Sequence, residues 1–383
     1  MADKEKIKLA ITHPGVVVRK AKKIVRAFLN PDYYLGQGYS LPPMTINFNL
    51  TYRCNLRCKM CRQYGEKGVY RQNPPNPEAE LMYLELKDII DDVSPFKPDI
   101  YITGGEPFLH KDILEFVKYI KTRGLLCNIN TNGTFLAKNA SSIIESDVDS
   151  LIVSLDGPKE VHDQIRGLAG TFEKAVAGIK ELNRLKKERK KNKPLIKTTF
   201  TISCNNYVYL KEIIEIASNI GINHIDLGFS WFTTEKIGKR HCQVFEKLFS
   251  IQPDSWKGFV TDVSGIDLCY LKEEVRKIRK SRHPLSISFF PNIKTEEIPD
   301  YYLHPEATFG RKRCVVPYMM TTICPDGSLT PCADFPDYVV GNVKEERLSK
   351  LWNSERYRYF RKGLKKVNLF PICSRCCGLY TYF

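Results

Sequence analysis

Three cysteines stand within eight residues near the start of the chain, and they limit what it can fold around. Cys54, Cys58 and Cys61 directly follow an apolar segment, residues 44–50, that is typical of a buried strand. The N-terminal residues lack the apolar core of a signal peptide. We therefore expect a cytoplasmic chain in which close thiols bind metal rather than form disulfides. Three thiolates in one loop favour an iron–sulfur cluster that keeps one iron open to another ligand.

Beyond this first cysteine group, apolar strands alternate with amphipathic helices. We predict strands at residues 44–50, 99–103, 125–130, 151–155, 197–203 and 224–229. Such alternation is typical of a parallel α/β sheet, and six repeats predict a partial (β/α)6 TIM-like barrel. Its active site is expected at the C-terminal ends of the strands. A length of 383 residues also allows a second, smaller domain.

A second cysteine group lies near the end of the chain, at Cys314, Cys324, Cys332, Cys373, Cys376 and Cys377. Asp-Gly at 326–327 predicts a tight β-hairpin over residues 323–332. A helix is expected at residues 348–361. The pattern predicts a small C-terminal β-hairpin/helix domain with a metal site, for which four thiolates suit either an iron–sulfur cluster or structural zinc.

The spacing Cys54-x3-Cys58-x2-Cys61 resembles the signature of the radical S-adenosylmethionine (radical SAM) enzymes, although Met60 stands where the family usually has an aromatic residue. Residues 103–107, at the end of the second predicted strand, resemble the family's Gly-Gly-Glu-Pro segment. The resemblance implies a 4Fe-4S cluster whose open iron is chelated by the methionine part of S-adenosyl-L-methionine. It also implies that a methionine-binding wall is formed by Gly104, Gly105, Glu106 and Pro107, with the glutamate accepting from the amine.

The fourth predicted strand adds further candidates for this cofactor site. The resemblance implies that Ser154 binds the ribose hydroxyls and that Arg166 pairs with the methionine carboxylate, which suits the fork of a guanidinium. Asp156 either belongs to the same site or caps the turn that Asp-Gly-Pro favours. Residues 130–133 (Asn-Thr-Asn-Gly) form either a turn or a wall of the cofactor site, and we favour the turn.

The second cysteine group resembles the SPASM extension of many radical SAM enzymes, in its shortened twitch form. The resemblance implies a second, auxiliary 4Fe-4S cluster on Cys314, Cys332, Cys373 and Cys376. Four thiolates would complete its coordination, so electron transfer or structural support is expected. Because the sequence ends six residues after Cys377, we expect no further auxiliary cluster. Zinc remains the alternative, and Cys324 or Cys377 could replace a ligand.

The resemblance implies reductive cleavage of S-adenosylmethionine to a 5'-deoxyadenosyl radical, which abstracts hydrogen from an unactivated C–H bond. We expect a small metabolite or sugar-like substrate, oxidised or rearranged, and a flavodoxin-type or ferredoxin-type reductase as electron donor. A ribosomally made peptide and a membrane lipid are the alternatives. The catalytic acid, base or hydrogen donor cannot be identified from the sequence.

A reading outside this family treats both cysteine groups as zinc sites of a nucleic-acid-binding protein. The chain has 59 Lys and Arg against 43 Asp and Glu, a net charge of +16, which would attract phosphates. This reading leaves the Gly-Gly-Glu-Pro segment unexplained. We therefore expect no nucleic-acid partner.

Residues 12–30 predict a basic amphipathic helix. Its apolar face would consist of Val17, Ala21, Ile24 and Phe28. Its basic face would consist of Arg19, Lys20, Lys22, Lys23 and Arg26. Such a helix could lie on an anionic membrane, giving a peripheral location, or pack on the barrel.

The predicted domains follow from these patterns. Residues 1–43 form the N-terminal helix and lead-in, and residues 44–235 form the radical SAM core. Residues 236–310 are a bridging, substrate-side region with aromatic pieces at 289–291 and 301–302. Residues 311–383 form the auxiliary cluster domain.

Overall fold

The fold is built around one ten-stranded sheet. The computed structural model describes residues 36–381 and also residues 21–23, 25, 26, 29 and 33. The strands are β1 (Thr45–Asn49), β2 (Asp99–Thr103), β3 (Cys127–Thr131), β4 (Ser150–Ser154), β5 (Leu195–Ile202), β6 (His224–Phe229), β7 (Ser286–Phe290), β8 (Met320–Ile323), β9 (Ser328–Thr330) and β10 (Gly341–Asn342). Their order in the sheet is β10-β9-β8-β1-β2-β3-β4-β5-β6-β7.

Helices connect and cover these strands. Before β5 they are α1 (Val69–Gln72), α2 (Tyr83–Val93), α3 (Ile113–Thr122), α4 (Leu136–Glu145), α5 (Lys159–Arg166) and α6 (Thr171–Glu188). After β5 they are α7 (Leu210–Asn219), α8 (Glu235–Phe249), α9 (Leu268–Lys280), α10 (Ile298–Leu303), α11 (Leu348–Leu351), α12 (Glu355–Val367) and α13 (Cys377–Tyr380). The main apolar core lies between the helices and the strand faces that they cover.

Strands β1 to β7 pair in parallel in chain order, which confirms the predicted α/β fold with a partial barrel. The two faces of each strand differ, as successive side chains point to opposite sides. In β5, for example, Ile196, Phe200 and Ile202 are buried in the core, whereas Lys197 and Thr199 are partly exposed on the inner face. The barrel therefore has an apolar outside under helices and a polar, accessible inside.

The bridging region, residues 236–310, contributes a barrel strand that the sequence did not predict. Its strand β7 pairs in parallel with β6, so a seventh parallel strand joins the six predicted ones. The long helix α8, which begins at the N-cap Thr234, was not anticipated. The helix predicted at 348–361 is two helices, because the Ser354 hydroxyl accepts from the Tyr357 N–H and starts α12 anew.

The C-terminal hairpin continues the barrel sheet. Strands β8 and β9 pair antiparallel around the Asp326–Gly327 turn, as predicted, and Gly327 adopts the positive φ of +89° that such a turn favours. Strand β8 also pairs in parallel with β1. The second cysteine group therefore begins beside the strand that leads into the first.

The basic face predicted for the N-terminal helix contacts the chain itself where it is described. Lys23 donates to Asp99 at 2.5 Å, and Arg26 donates to the Leu41 and Pro42 carbonyls. Val25 and Leu29 are exposed, at 54% and 61%. Ala21 of the predicted apolar face is also exposed. Val17, Arg19, Lys20, Ile24 and Phe28 lie outside the described residues.

The aromatic pieces of the bridging region do not form a lipid-facing surface. Phe289, Tyr301 and Tyr302 are at most 8% exposed and stack on Phe229 and its neighbours in the core. These three rings are therefore covered by other elements of the fold. None of the helices in the described part of the chain is long and apolar enough to cross a bilayer.

His241 of α8 is a buried histidine with a distinctive environment. It is 1% exposed and packs against the rings of Phe245, Phe335 and Phe370. Neither ring nitrogen has a hydrogen-bond partner among the described residues. Burial lowers the pKa of His241 to about 4, because the apolar surroundings disfavour the imidazolium.

This histidine should make the fold acid-sensitive. The unfolded chain binds a proton near pH 6.5 but the folded chain only near pH 4, so stability falls as the pH drops through this window. By pH 5.5 the contribution is about 1.4 kcal/mol. We expect His241→Leu to reduce the loss of unfolding free energy between pH 7.5 and 5.5 by about this amount in denaturant titrations. An unchanged pH dependence would contradict the assignment.

Candidate functional site

The first cysteine group occupies the loop after β1, and the ends of the next three strands contact this loop. From the end of β2, the Gly105 and Glu106 N–H groups donate to the Thr51 and Arg53 carbonyls, each at 2.8 Å. After β3, Asn132 Nδ2 donates to Asn55 Oδ1 at 2.9 Å. From α5, which follows β4, the Ile165 carbonyl accepts from the Lys59 N–H at 2.8 Å. The C-terminal strand edge thus carries the site, as the parallel sheet predicts.

The thiols of Cys54, Cys58 and Cys61 are close enough for their charges to interact. Burial, together with smaller effects of Cys58, Glu106 and Cys61, raises the pKa of Cys54 to about 12. Burial also raises the pKa of Cys58. Thiols in such surroundings lose their protons when they bind a metal, because only the thiolate is a metal ligand.

The two glycines of the Gly-Gly-Glu-Pro segment have a packing role at the loop. A Cβ on Gly105 would lie 2.1 Å from the Arg53 carbonyl oxygen, and a Cβ on Gly104 would lie 2.7 Å from that of Thr51. Gly104 also has a φ of +134°, which side chains rarely adopt. Both positions therefore need glycine for the strand end to approach the cysteine loop. Pro107 begins a short 3-10 turn directly after them.

Glu106 is fully buried at the centre of this site. Its carboxylate accepts from Thr131 Oγ1 at 2.7 Å, the Asn132 N–H at 2.8 Å and the Phe108 N–H at 3.2 Å. Burial raises its pKa to about 7, although these hydrogen bonds and Arg166 act against the rise. A buried carboxylate that borders the cysteine loop suits recognition of an ammonium group.

Arg166 and Asp156 form a buried ion pair beside the loop. Arg166 Nη2 lies 2.5 Å from Asp156 Oδ2, and Arg166 Nη1 donates to Cys58 Sγ at 3.7 Å. Burial acts to lower the pKa of Arg166, but Asp156 and Cys58 outweigh it. The alternative that Asp156 serves as a turn cap is wrong, since its carboxylate pairs with Arg166. Ser154 ends β4 and is partly exposed.

Several buried polar atoms around this loop have no hydrogen-bond partner in the part of the chain that the structure describes. They are Asn130 Oδ1, His162 Nε2 and Arg166 Nε. Asn130 and Thr131 belong to β3 rather than to the predicted turn, which starts at Asn132, whose Oδ1 accepts from the Thr134 N–H. Unpaired donors and acceptors next to three thiols and a buried carboxylate fit a polar cofactor, because buried polar groups are normally satisfied. The residues present therefore fit the implied cluster and S-adenosylmethionine.

Glu80 supports the loop and was missed by the sequence analysis. Its carboxylate accepts from Arg53 Nε and Nη2, both at 2.9 Å, and from the Thr51 hydroxyl. Such a two-point contact fixes the orientation of a guanidinium. No local pattern marks Glu80, because its partners lie 27 and 29 residues away.

The second cysteine group also comes together. Burial, together with smaller effects of Asp334 and Cys314, raises the pKa of Cys332 to about 12. The pKa of Cys373 is raised well above its usual value, first by burial and then by Cys314 and Cys332. Cys376 interacts in the same way with Cys332 and Cys373. The four predicted ligands are therefore neighbours.

Cys324 and Cys377, the two further cysteines of the second group, lie in different places. Cys377 lies beside this group, where it interacts with Asp334 and Cys332. Cys324 lies instead in the hairpin turn, where it interacts with Arg62 and Asn49 near the first loop. No three His, Cys, Asp or Glu side chains among the described residues converge as ligands of a single metal ion do.

Four cysteines, Cys127, Cys204, Cys242 and Cys269, lie outside both groups. Scattered cysteines of this kind are expected to be buried small hydrophobes. Cys127 is buried in β3, and Cys242 is half-buried with its thiol donating to the Pro253 carbonyl. Cys204 and Cys269 are exposed, so the expectation is wrong for these two.

The inside of the barrel offers a polar lining next to these sites. His224 Nε2 lies 3.0 Å from both Asp226 Oδ1 and Ser288 Oγ on neighbouring strands. Burial acts to raise the pKa of Asp226, but His224, Ser288 and Lys197 outweigh it and lower the pKa. Tyr101 of β2 interacts with Asp226 and with the Cys377 thiol, which places the C-terminal helix α13 at this lining.

Two family models match the chain. Residues 48–201 match the radical SAM superfamily, and residues 314–377 match SPASM, an iron–sulfur cluster-binding domain. The first match spans the cysteine loop and strands β2 to β4 with most of β5. The second spans the four clustered cysteines and Cys377.

Curated relatives and a solved structure extend these matches. The chain is 28% identical over 355 residues to the tungsten-containing aldehyde ferredoxin oxidoreductase cofactor-modifying protein of Pyrococcus furiosus, covering 86% of each chain. It is 28% identical to an AdoMet-dependent heme synthase of Oleidesulfovibrio alaskensis, covering 82% of this chain and 76% of that one. Its fold is similar to that of Streptococcus suis SuiB bound to S-adenosylmethionine, with a TM-score of 0.58, 15% identity and coverage of 84% and 68%.

The contact between Gly105 and the cysteine loop leads to a steric prediction. A methyl group at this position overlaps the Arg53 carbonyl, so we expect Gly105→Ala to cost about 1–3 kcal/mol and to displace the loop. Iron bound per chain after anaerobic reconstitution should fall to about half, because one of two sites is affected. Gly228→Ala is the control, since its Cβ would make only ordinary contacts at 3.8 and 3.9 Å. Equal iron contents in the two variants would contradict this prediction.

Proposed function

The chain belongs to the radical SAM superfamily and carries a C-terminal SPASM domain, and on this premise we propose that it activates an unreactive C–H bond at the loop of Cys54, Cys58 and Cys61. The observation that carries the proposal is the meeting of these thiols with buried Glu106 and Arg166 at one strand edge. Cys54, Cys58 and Cys61 would hold a 4Fe-4S cluster there, which would supply one electron for the reductive cleavage of S-adenosylmethionine.

We assign the amino-acid end of S-adenosylmethionine to the buried charged groups. Glu106 would accept from the ammonium group, next to the backbone of Gly104, Gly105 and Pro107. Arg166, whose Nε has no partner among the described residues, would donate to the carboxylate. Asp156 would hold the Arg166 guanidinium in place for this role, given their 2.5 Å contact. Ser154, at the end of β4, would bind the ribose.

The auxiliary cluster is assigned to Cys314, Cys332, Cys373 and Cys376. Their mutual proximity and the SPASM match support this assignment over structural zinc. Cys377 is the candidate for replacing a ligand, because it lies at the same group, whereas Cys324 does not. A reductase of flavodoxin or ferredoxin type remains the proposed electron donor.

The substrate is proposed to be a small molecule of cofactor size. The two relatives are named for modifying a tungsten cofactor and for making heme, which favours such a molecule over a sugar. A porphyrin carboxylate is therefore the first substrate to test. A ribosomally made peptide is the alternative.

The two cysteine groups should be separable by substitution. We expect Cys58→Ala to abolish release of 5'-deoxyadenosine, because the first cluster loses one of three ligands. Cys332→Ala should leave release of 5'-deoxyadenosine largely intact but stop conversion of the substrate. Liquid chromatography of anaerobic reactions measures both products. Wild-type release by the Cys58 variant would overturn the site assignment.

Iron analysis tests the number of clusters. Two 4Fe-4S clusters give about eight irons per chain in the anaerobically reconstituted protein. About four irons would remove the auxiliary cluster, and bound zinc without iron would defeat the proposed function.

The substrate class is tested by isotope transfer. We expect a porphyrin carboxylate deuterated at its side chains to pass deuterium to 5'-deoxyadenosine, detected by mass spectrometry. The same substrate with Cys58→Ala is the control and should give none. Deuterium transfer from a labelled peptide and not from the porphyrin would favour the peptide alternative.

A further inference from the structure

One ion pair connects the two cysteine groups directly. Arg62 follows Cys61 in the chain, and its Nη1 lies 2.5 Å from Asp334 Oδ1. Its Nη2 donates to the Ala333 carbonyl at 3.0 Å. Asp334 and Ala333 stand immediately after Cys332. A single side chain from the first loop therefore contacts the second loop at two points.

The same pair reaches a second ligand of the auxiliary site. The other carboxylate oxygen of Asp334, Oδ2, accepts from Cys376 Sγ at 3.4 Å. The contacts thus run from Cys61 through Arg62 and Asp334 to Cys376. Among the described residues, the side-chain hydrogen bonds that join residues 54–62 to residues 332–334 are those of Arg62.

The position of Arg62 is fixed from its other sides as well. A Cβ on Gly258 would lie 2.2 Å from the Arg62 carbonyl oxygen, so the backbone segments touch. The Phe259 ring lies under the guanidinium, 5.7 Å from Cζ. The side chains of Arg62 and Asp334 are 27% and 12% exposed, which limits the screening of their charges by solvent.

The Arg62 guanidinium also interacts electrostatically with thiols of both cysteine groups. Its charge interacts with Cys61 of the first group and with Cys377 beside the second. Cys324, in the hairpin turn, interacts with it too. Thiolate-bound clusters on the two sides would place negative charge on either side of one cation, and opposite charges at short range attract.

We propose that Arg62 and Asp334 are positioning residues that hold the two cluster-binding loops at a fixed separation and place one positive charge between them. The inference rests on the two clusters of the proposed function. The fork of Arg62 supplies the geometry, because two parallel donors fix the loop after Cys332. Its charge stabilises the reduced, more negative state of the nearby clusters.

Three variants separate geometry from charge. Arg62→Gln removes the cation, so the midpoint potential of the auxiliary cluster should shift to more negative values. Asp334→Asn removes the anion, so the potential should shift to more positive values. Arg62→Lys keeps the charge but loses the fork, so the potential should stay near that of the wild type. In this variant, substrate converted per 5'-deoxyadenosine released should fall about tenfold, because misplaced groups lose reactivity steeply.

The measurement is a redox titration of the anaerobic holoenzyme, followed by electron paramagnetic resonance. Arg57→Gln is the matched control, because it removes a cation from the same loop. Arg57 contacts the Cys54 and Leu56 carbonyls and the Tyr64 ring, and it should leave the auxiliary potential unchanged. Iron content and thermal unfolding verify that each variant is loaded and folded. If Arg62→Gln fails to fold, Asp334→Asn alone tests the charge role and Arg62→Lys tests the geometric role.

Unchanged auxiliary potentials in the loaded Arg62→Gln and Asp334→Asn proteins would overturn the charge role. Wild-type coupling of product to 5'-deoxyadenosine in Arg62→Lys would overturn the geometric role. Both results differ from a failure of the proposed function, which would appear as continued release of 5'-deoxyadenosine by Cys58→Ala. If Cys58→Ala releases no 5'-deoxyadenosine but the auxiliary potentials of the Arg62 and Asp334 variants equal that of the wild type, the roles of Arg62 and Asp334 are wrong while the proposed function stands.

Discussion

The pairing of β1 with β2 on one side and with β8 on the other is the constraint on which the site depends. Parallel strands end at one edge of a sheet, so the cysteine loop after β1 meets the Gly-Gly-Glu-Pro segment after β2. The same arrangement places the hairpin turn after β8 beside that loop. That turn carries Cys324, whereas Cys314 and Cys332 lie before β8 and after β9. The ion pair of Arg62 with Asp334 joins the second group to the first loop, although more than 250 residues separate Cys54 from Cys314.

Burial gives this edge its chemistry. Cys58, Glu106, Asp156 and Arg166 are largely removed from water, and Cys54 and Cys61 are half-buried. Unpaired charges are costly in such surroundings. The structure offsets part of this cost with the pair of Asp156 and Arg166 and with three hydrogen bonds to Glu106. Metal ligation to the thiols and a zwitterionic cofactor would offset the rest. The site is thus suited to bind charged groups, namely a metal centre and a zwitterionic cofactor.

The local patterns of the sequence predicted much of the fold. Strands β2 and β6 have the predicted bounds, because alternation is a property of short segments. Strand β7 and helix α8 escaped prediction, as did the exposure of Cys204 and Cys269, since these depend on which surfaces other elements cover. Glu80 and the ion pair of Arg62 with Asp334 left no signal, because their partners are distant in the chain.

By itself, the sequence determined the family, the two cysteine groups and the parallel α/β plan, because spacing and periodicity are written in consecutive residues. Only the tertiary structure decided that Cys377 joins the second group while Cys324 does not, and that Asp156 pairs with Arg166 instead of capping a turn. It also decided that one arginine lies between the two groups. Electrostatic interactions act through space, and the distances that govern them follow from packing rather than from order along the chain.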